Sequence, residues 1–256
     1  MKSKLIILGS GSSLGVPRID GYWGKCNKKN KKNNRTRCSA IIMKGTNSIL
    51  IDTSPDIRMQ LLENNIKNIS SVLFTHEHAD QTNGLFELRA FFLKYRKTIN
   101  VFGNVKTINH LKKTQKYLFK KISDYPPIVK SNIIKKSFSL GKSNEKIILK
   151  TFNAKHGKTN SVGYIFEKTA YLSDSDDLSI INIKELKNLK YLILDCLKRD
   201  KHPTHFNLTE ALYIHNQLNP KKTILTNLSN DIDYNFLIKR LPKNVIPAYD
   251  GLKLKL

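Results

Sequence analysis

The sequence predicts an α/β protein, a four-layer sandwich of two β-sheets with helices on both outer faces, in one domain over residues 1–256. Three observations carry this expectation. Short apolar runs bounded by turn residues crowd the first and last parts of the chain, as strands do. Helical apolar spacings lie between and outside them. No internal repeat and no linker-like stretch divides the chain, and 256 residues suffice to bury one large core.

In chain order, strands are predicted at residues 4–8, 39–43, 48–51, 71–74, 100–102, 146–152, 162–166, 169–172, 191–194, 223–225 and 251–254. The run Leu5-Ile6-Ile7-Leu8 is apolar without alternation, as expected of a strand covered on both faces. Helices are predicted at residues 55–64, 85–93, 105–119, 208–218 and 234–241. The fourth has Asn207 or Thr209 as its cap, with Glu210 in the first turn. Residues 26–37 read as an exposed Lys/Asn-rich loop.

The formal net charge is +25, which taken alone suggests a polyanionic partner such as nucleic acid. Lys, Asn and Ile are abundant throughout, however, a pattern that an AT-rich genome produces without any selection for RNA. The three cysteines, Cys26, Cys38 and Cys196, are scattered and include no CxxC, which fits a reducing cytoplasm better than a disulfide framework. The first eight residues turn polar too soon for a signal peptide, and no run of about 18 apolar residues predicts a membrane span.

Metal-ligand chemistry clusters in three segments. The first is His76-x-His78-x-Asp80, directly after the apolar strand 71–74. Imidazoles and carboxylates are the usual zinc ligands, and the end of a strand is where open α/β sites form. An HxH pair alone is weak evidence; HxHxD after a buried strand is stronger. The second segment holds His156 after strand 146–152, and the third holds Asp174 after strand 169–172. Either alone reads as a surface histidine or a turn aspartate. Together with the first they offer three imidazoles and a carboxylate, a four-coordinate shell.

With these residues the chain resembles the metallo-β-lactamase superfamily, and within it the PhnP-like phosphodiesterases. The resemblance runs nearly end to end: the opening Leu8-Gly9-Ser10-Gly11-Ser12-Ser13-Leu14-Gly15-Val16-Pro17, then Arg35 to Ser39, Asp52-Thr53-Ser54-Pro55-Asp56 and the loop from His76 to Gly84. His156, Asp174, His202-Pro203-Thr204-His205, Thr226-Asn227-Leu228 and Tyr249-Asp250-Gly251 follow. It implies the four-layer αββα metallo-β-lactamase fold and metal ligands at His76, His78, Asp80, His156 and Asp174.

The superfamily signature reads HxHxDH, and this chain has Gln81 at its last position and Asn227 where a later histidine is expected. An amide oxygen is a poorer zinc ligand than an imidazole. The expectation is therefore one firm Zn²⁺ or Mn²⁺ site and a second that is weak, absent or taken by an oxygen-preferring ion such as Mn²⁺ or Mg²⁺. PhnP-like proteins carry a cysteine-rich structural zinc cluster after the Gly-Val-Pro turn. Here that stretch holds only Cys26, so this zinc is not expected; Tyr22 and Trp23 beside it are read as packing residues, with stacking on a base or sugar as the alternative. Asp52 is expected to orient the HxH loop or to cap the next helix. Ser10, Ser12, Ser13 and His202 are candidate substrate contacts, while His110 and His215 fall in helical patterns and receive no role.

The resemblance implies hydrolysis of a small phosphodiester, a cyclic phosphate or a nucleotide-like one, by a metal-activated water. Asp80 would act as general base, and His205 would protonate the leaving oxygen or stabilise phosphoryl charge. The rivals are a ribonuclease Z-like RNA endonuclease, which the charge favours; a glyoxalase II-type thioesterase or a PqqB-like protein, which the motifs disfavour; and a nucleotide-binding module with a vestigial metal site. The resemblance also implies a homodimer, although no stretch of the sequence marks an interface.

Overall fold

The computed structural model describes residues 1–121, 123 and 125–256. Its first sheet takes β1 (Ser3–Gly9), β2 (Ser39–Lys44), β3 (Asn47–Ile51), β4 (Ser71–Leu73), β5 (Ile99–Gly103) and β6 (Val129–Ile133). Its second sheet takes β7 (Ser137–Leu140), β8 (Ile147–His156), β9 (Thr159–Phe166), β10 (Thr169–Leu172), β11 (Tyr191–Asp195), β12 (Lys222–Thr226) and β13 (Val245–Pro247). The last strand, β14 (Leu252–Lys255), returns to the first sheet and pairs antiparallel with β1. The orders are β14-β1-β2-β3-β4-β5-β6 and β13-β12-β11-β10-β9-β8-β7.

Side-chain alternation explains why the sheets stack. Leu5, Ile7, Ile42, Ile49, Ile51 and Leu73 leave one face of the first sheet and meet Ile147, Leu149, Val162, Tyr164, Tyr171 and Ile193 of the second. The opposite faces, carried by Ile6, Leu8, Ile41 and Val72 on one sheet and Leu172, Leu192 and Leu194 on the other, pack against helices. Both sheets are thus buried on both sides, which is why several strands read as unbroken apolar runs. The expected four-layer αββα sandwich is the observed one.

The helices are α1 (Ile57–Glu63), α2 (Ala79–Thr82), α3 (Arg89–Tyr95), α4 (Val105–Thr114), α5 (Lys116–Phe119), α6 (Leu208–Leu218) and α7 (Tyr234–Ile238). Two expectations are corrected. The single helix over 105–119 is broken at Gln115, whose backbone leaves helical values (φ −126°, ψ 41°) while its Nε2 donates to Thr82 O. The helix over 85–93 begins as a 3₁₀ turn, Leu85–Leu88, before α3. Strands β6 and β7 escape the sequence reading because they are sheet edges with polar or half-exposed residues in place of a continuous apolar run, and β13 because it is only three residues long and ends in a proline.

Parallel pairing of β3, β4 and β5, and of β10, β11 and β12, brings their carboxyl ends to one rim of the sandwich. The loops that leave this rim carry the functional side chains. Asp250 ties the rim together: its Oδ1 accepts from Ser10 N and Oγ, and its Oδ2 from Thr36 N and Oγ1. Ser10 is therefore a buried structural residue, which corrects its reading as a substrate contact.

Candidate metal centre

His76 follows β4 with its ring fully buried. Asp52, at the end of β3, accepts hydrogen bonds from Thr75 N (2.8 Å) and Thr75 Oγ1 (2.9 Å). When Thr75 Oγ1 gives its proton to an ionised Asp52, it accepts from His76 Nδ1, 3.0 Å away. The relay fixes the tautomer and leaves the Nε2 lone pair facing inward. Asp52 thus works through Thr75; the cap position of α1 belongs to Asp56. Asp52 holds a left-handed backbone (φ 61°), which a short polar side chain with local hydrogen bonds tolerates.

His156, at the end of β8, donates from Nδ1 to Thr204 O (2.7 Å), so its Nε2 is also a free lone pair. One ligand atom each of His76, His78 and His156 lies within 4.8 Å of the others, and a second such group joins His156, Asp174 and His205. His76 Nε2 and His78 Nδ1 stand 2.9 Å apart. A proton on His78 Nδ1 makes this a hydrogen bond; with both nitrogens unprotonated, both lone pairs can turn to one cation. Burial, with the neighbouring His156 and His78 rings, pushes the His76 imidazole down to about 4 against the pull of Asp174. The ring is neutral at pH 7, the form that ligates. This donor set, three imidazoles and an adjacent carboxylate, fits a divalent metal ion.

Asp174 is buried at the end of β10. Its Oδ2 accepts from Ser173 Oγ (2.6 Å) and Gln81 Nε2 (3.3 Å), and its Oδ1 from Asn227 Nδ2 (3.2 Å). Burial opposes its charge, but His76, His205 and His156 hold it below the ordinary carboxylate range. Asp80 lines the same cavity from the first turn of α2 and belongs to neither histidine group. Burial, then the charge of Asp174, pushes Asp80 up to about 6.

Asp195 was not anticipated. It ends β11, fully buried, and its Oδ2 accepts from His205 Nδ1 at 2.8 Å. Burial disfavours a charged His205, but Asp195 outweighs it and carries the imidazole up to about 9. The rule that singled out Asp174, a carboxylate at the end of an apolar strand, applies equally to Asp195; ending the predicted strand at Leu194 hid it. Thr75 and Thr204 carried no sequence signal, since one acts through its hydroxyl and the other through its carbonyl.

The cavity over these groups has a volume of about 810 Å³. Ser12, Ser13 and His202 line it, as do Lys106, Lys158 and Lys198. Lys106 is held by Glu77 (2.6 Å). Among the described residues, no aromatic side chain other than histidine lines it, and Tyr22 and Trp23 lie outside the lining. In the stretch after the Gly-Val-Pro turn, the buried Arg35 guanidinium donates to Ser229 O, Ile232 O and Asn33 Oδ1 beside Cys26.

Two sheets, a rim of loops and a three-histidine, one-aspartate cluster define a metal-dependent hydrolase fold. The chain belongs to the β-lactamase superfamily, whose domain model matches residues 47–226. Within it the chain is PhnP-like: it is 31% identical to a diphosphatase from the PhnP family whose crystal structure superposes with a TM-score of 0.89, over 100% of this chain and 98% of that one. An octanoyltransferase from Porphyromonas gingivalis is 29% identical over 255 residues, and the chain spans 51% of that protein's length. The short form of human tRNase Z shares the fold at 18% identity and a TM-score of 0.71, over 98% of each chain. Among the described residues no helix is long and apolar enough to cross a membrane.

Proposed function

We propose that this protein is a divalent-metal-dependent phosphodiesterase acting on a small anionic phosphodiester. The observation that carries the reading is the three-imidazole cluster with Asp174 beside it and the His205–Asp195 pair on its far side, in one lysine-rimmed cavity. His76, His78, His156 and Asp174 would hold the ion, Zn²⁺ or Mn²⁺. The ion supplies Lewis acidity toward a phosphoryl oxygen and acidifies water.

The protein's own groups supply the rest. Asp80, close to neutral pH in its titration, accepts the proton of the attacking water. His205, kept protonated by Asp195, donates to the leaving oxygen. Lys158 and Lys198 place positive charge around the substrate phosphate, and Ser12, Ser13 and His202 offer hydrogen bonds at the mouth. The lysines and polar side chains of the lining suit recognition through the substrate's phosphate.

Hydrolysis of bis-p-nitrophenyl phosphate by the metal-loaded protein, compared with His76→Ala, tests the reading. We expect turnover by the wild type and a loss of at least about 100-fold in the variant, the scale on which disturbing a metal's surroundings already costs affinity or activity. Equal turnover by the two would remove the metal site from the chemistry. The net charge of +25 favours one second reading, an RNA endonuclease. Cleavage of a structured RNA at least as efficient as that of a cyclic ribose phosphate would establish it instead.

A further inference from the structure

Gln81 is fully buried between two carboxylates. Its Nε2 lies 3.3 Å from Asp80 Oδ2 and 3.3 Å from Asp174 Oδ2, one amide hydrogen for each. Asp174 is buried and Asp80 half-buried; carboxylates that close repel, and the usual remedy is a cation between them. Here the neutral amide takes that place. On the other side of Asp174, Asn227 Nδ2 donates to Asp174 Oδ1 (3.2 Å) and to Ser173 O (2.9 Å). With Ser173 Oγ also on Oδ2, each oxygen of Asp174 already accepts from the protein.

We infer that the amides of Gln81 and Asn227 replace a second cation, so that the chain binds one divalent ion, at His76, His78, His156 and Asp174, and none between Asp80 and Asp174. The inference rests on the metal reading of the histidine cluster proposed above.

The donor chemistry separates the two places. At the first, one ligand nitrogen from each of three histidines converges beside the Asp174 carboxylate, a donor set that suits a divalent cation. At the second, the carboxylate oxygens of Asp80 and Asp174 already accept from amide nitrogens, which donate hydrogen bonds and do not ligate. Turning the Gln81 amide over would present Oε1, an atom with no partner in the structure, to two carboxylate oxygens. An ion entering between the carboxylates would have to displace both amide hydrogen bonds, and turning the amide over would add only one neutral oxygen ligand to the two carboxylates. The backbone of Gln81 gives it little room to withdraw, since its N–H donates to His78 O (3.1 Å) and its carbonyl accepts from Thr53 N (2.8 Å). Asn227 is similarly held, in a left-handed backbone conformation (φ 61°).

The test is a metal count on the full chain. Protein dialysed to equilibrium against excess Mn²⁺ or Zn²⁺ is analysed by elemental mass spectrometry, with an electron paramagnetic resonance spectrum of the Mn²⁺ form. We expect one ion per chain and the six-line spectrum of an isolated Mn²⁺. Two tightly held ions, or an exchange-coupled spectrum, overturn the inference while leaving the metal-hydrolase reading intact. No bound ion overturns both. The double variant Gln81→His, Asn227→His, checked for folding by circular dichroism, should rise to two ions per chain. A folded double variant that remains at one ion would show that the amides are not what excludes the second. The wild-type count decides the stoichiometry even if the variant fails to fold.

Discussion

At the scale of single residues, the site depends on groups that touch neither metal nor substrate. Asp195 holds His205 by one 2.8 Å bond from a position with no solvent exposure. Replacing it with Asn keeps the volume and removes the charge. The sign is definite: Asp195 raises the His205 pKa, so the protonated form persists to higher pH, and the acid is lost as pH rises through that value. Asp195→Asn should lower kcat by about 100-fold or more, within the roughly 100- to 10,000-fold that a general acid usually contributes. It should also move the alkaline limb of the pH profile of kcat/KM toward lower pH. An unmoved limb with reduced kcat would assign Asp195 a packing role only. These residues also show where sequence reading ends. His76, His78, His156 and Asp174 were legible because ligand residue types are few and sat at strand ends. Thr75 and Thr204 were not, because a hydroxyl relay and a backbone carbonyl leave no compositional trace.

At the scale of elements, the buried central strands announced themselves as apolar runs, while the edge strands β6 and β7, with exposed polar residues, did not. The continuous helix expected over 105–119 failed because Gln115 makes a tertiary hydrogen bond to Thr82 O that no helical periodicity encodes. Helix α6 was the most legible, since its start is written in the chain: Asn207 Oδ1 accepts from Glu210 N (2.9 Å) and Glu210 Oε2 accepts from Asn207 N (3.0 Å). This capping box follows the His202–His205 loop directly. The loop has anchors of its own, Phe206 N to Ser175 O and Leu197 N to Phe206 O. Asn207→Ala should therefore cost about 1 kcal/mol of stability, seen as a lower urea midpoint at unchanged slope. The kcat should stay within about twofold, because small shifts cost rate only where the catalytic group itself moves. A large loss of kcat at full metal occupancy would mean that α6, rather than the loop anchors, places His205.

At the scale of the whole molecule, the candidate metal centre lies across the seam between the two sheets. His76 and His78 follow β4 of the first sheet, whereas His156 ends β8 and Asp174 follows β10 of the second. The sheets already share an apolar core, and Ser10 O, just beyond β1, accepts from Leu228 N, just beyond β12. An ion bound at the seam adds a link that exists only in the folded state, since no unfolded chain brings residues 76, 78, 156 and 174 together. It should stabilise the fold by RT ln(1 + [L]/Kd), about 2.7 kcal/mol when free metal stands at 100 times Kd. For a chain of this size that is roughly a 5–10 °C rise in Tm. Calorimetry with and without chelator checks the shift, and the dependence on metal concentration separates linkage from a nonspecific salt effect. His76→Ala should abolish the metal-dependent part and lower the chelated Tm, because it leaves a cavity and removes the contact to Thr75, so the metal-induced shift rather than the absolute Tm is compared. An equal metal-induced shift in His76→Ala would place the stabilising ion somewhere other than this seam.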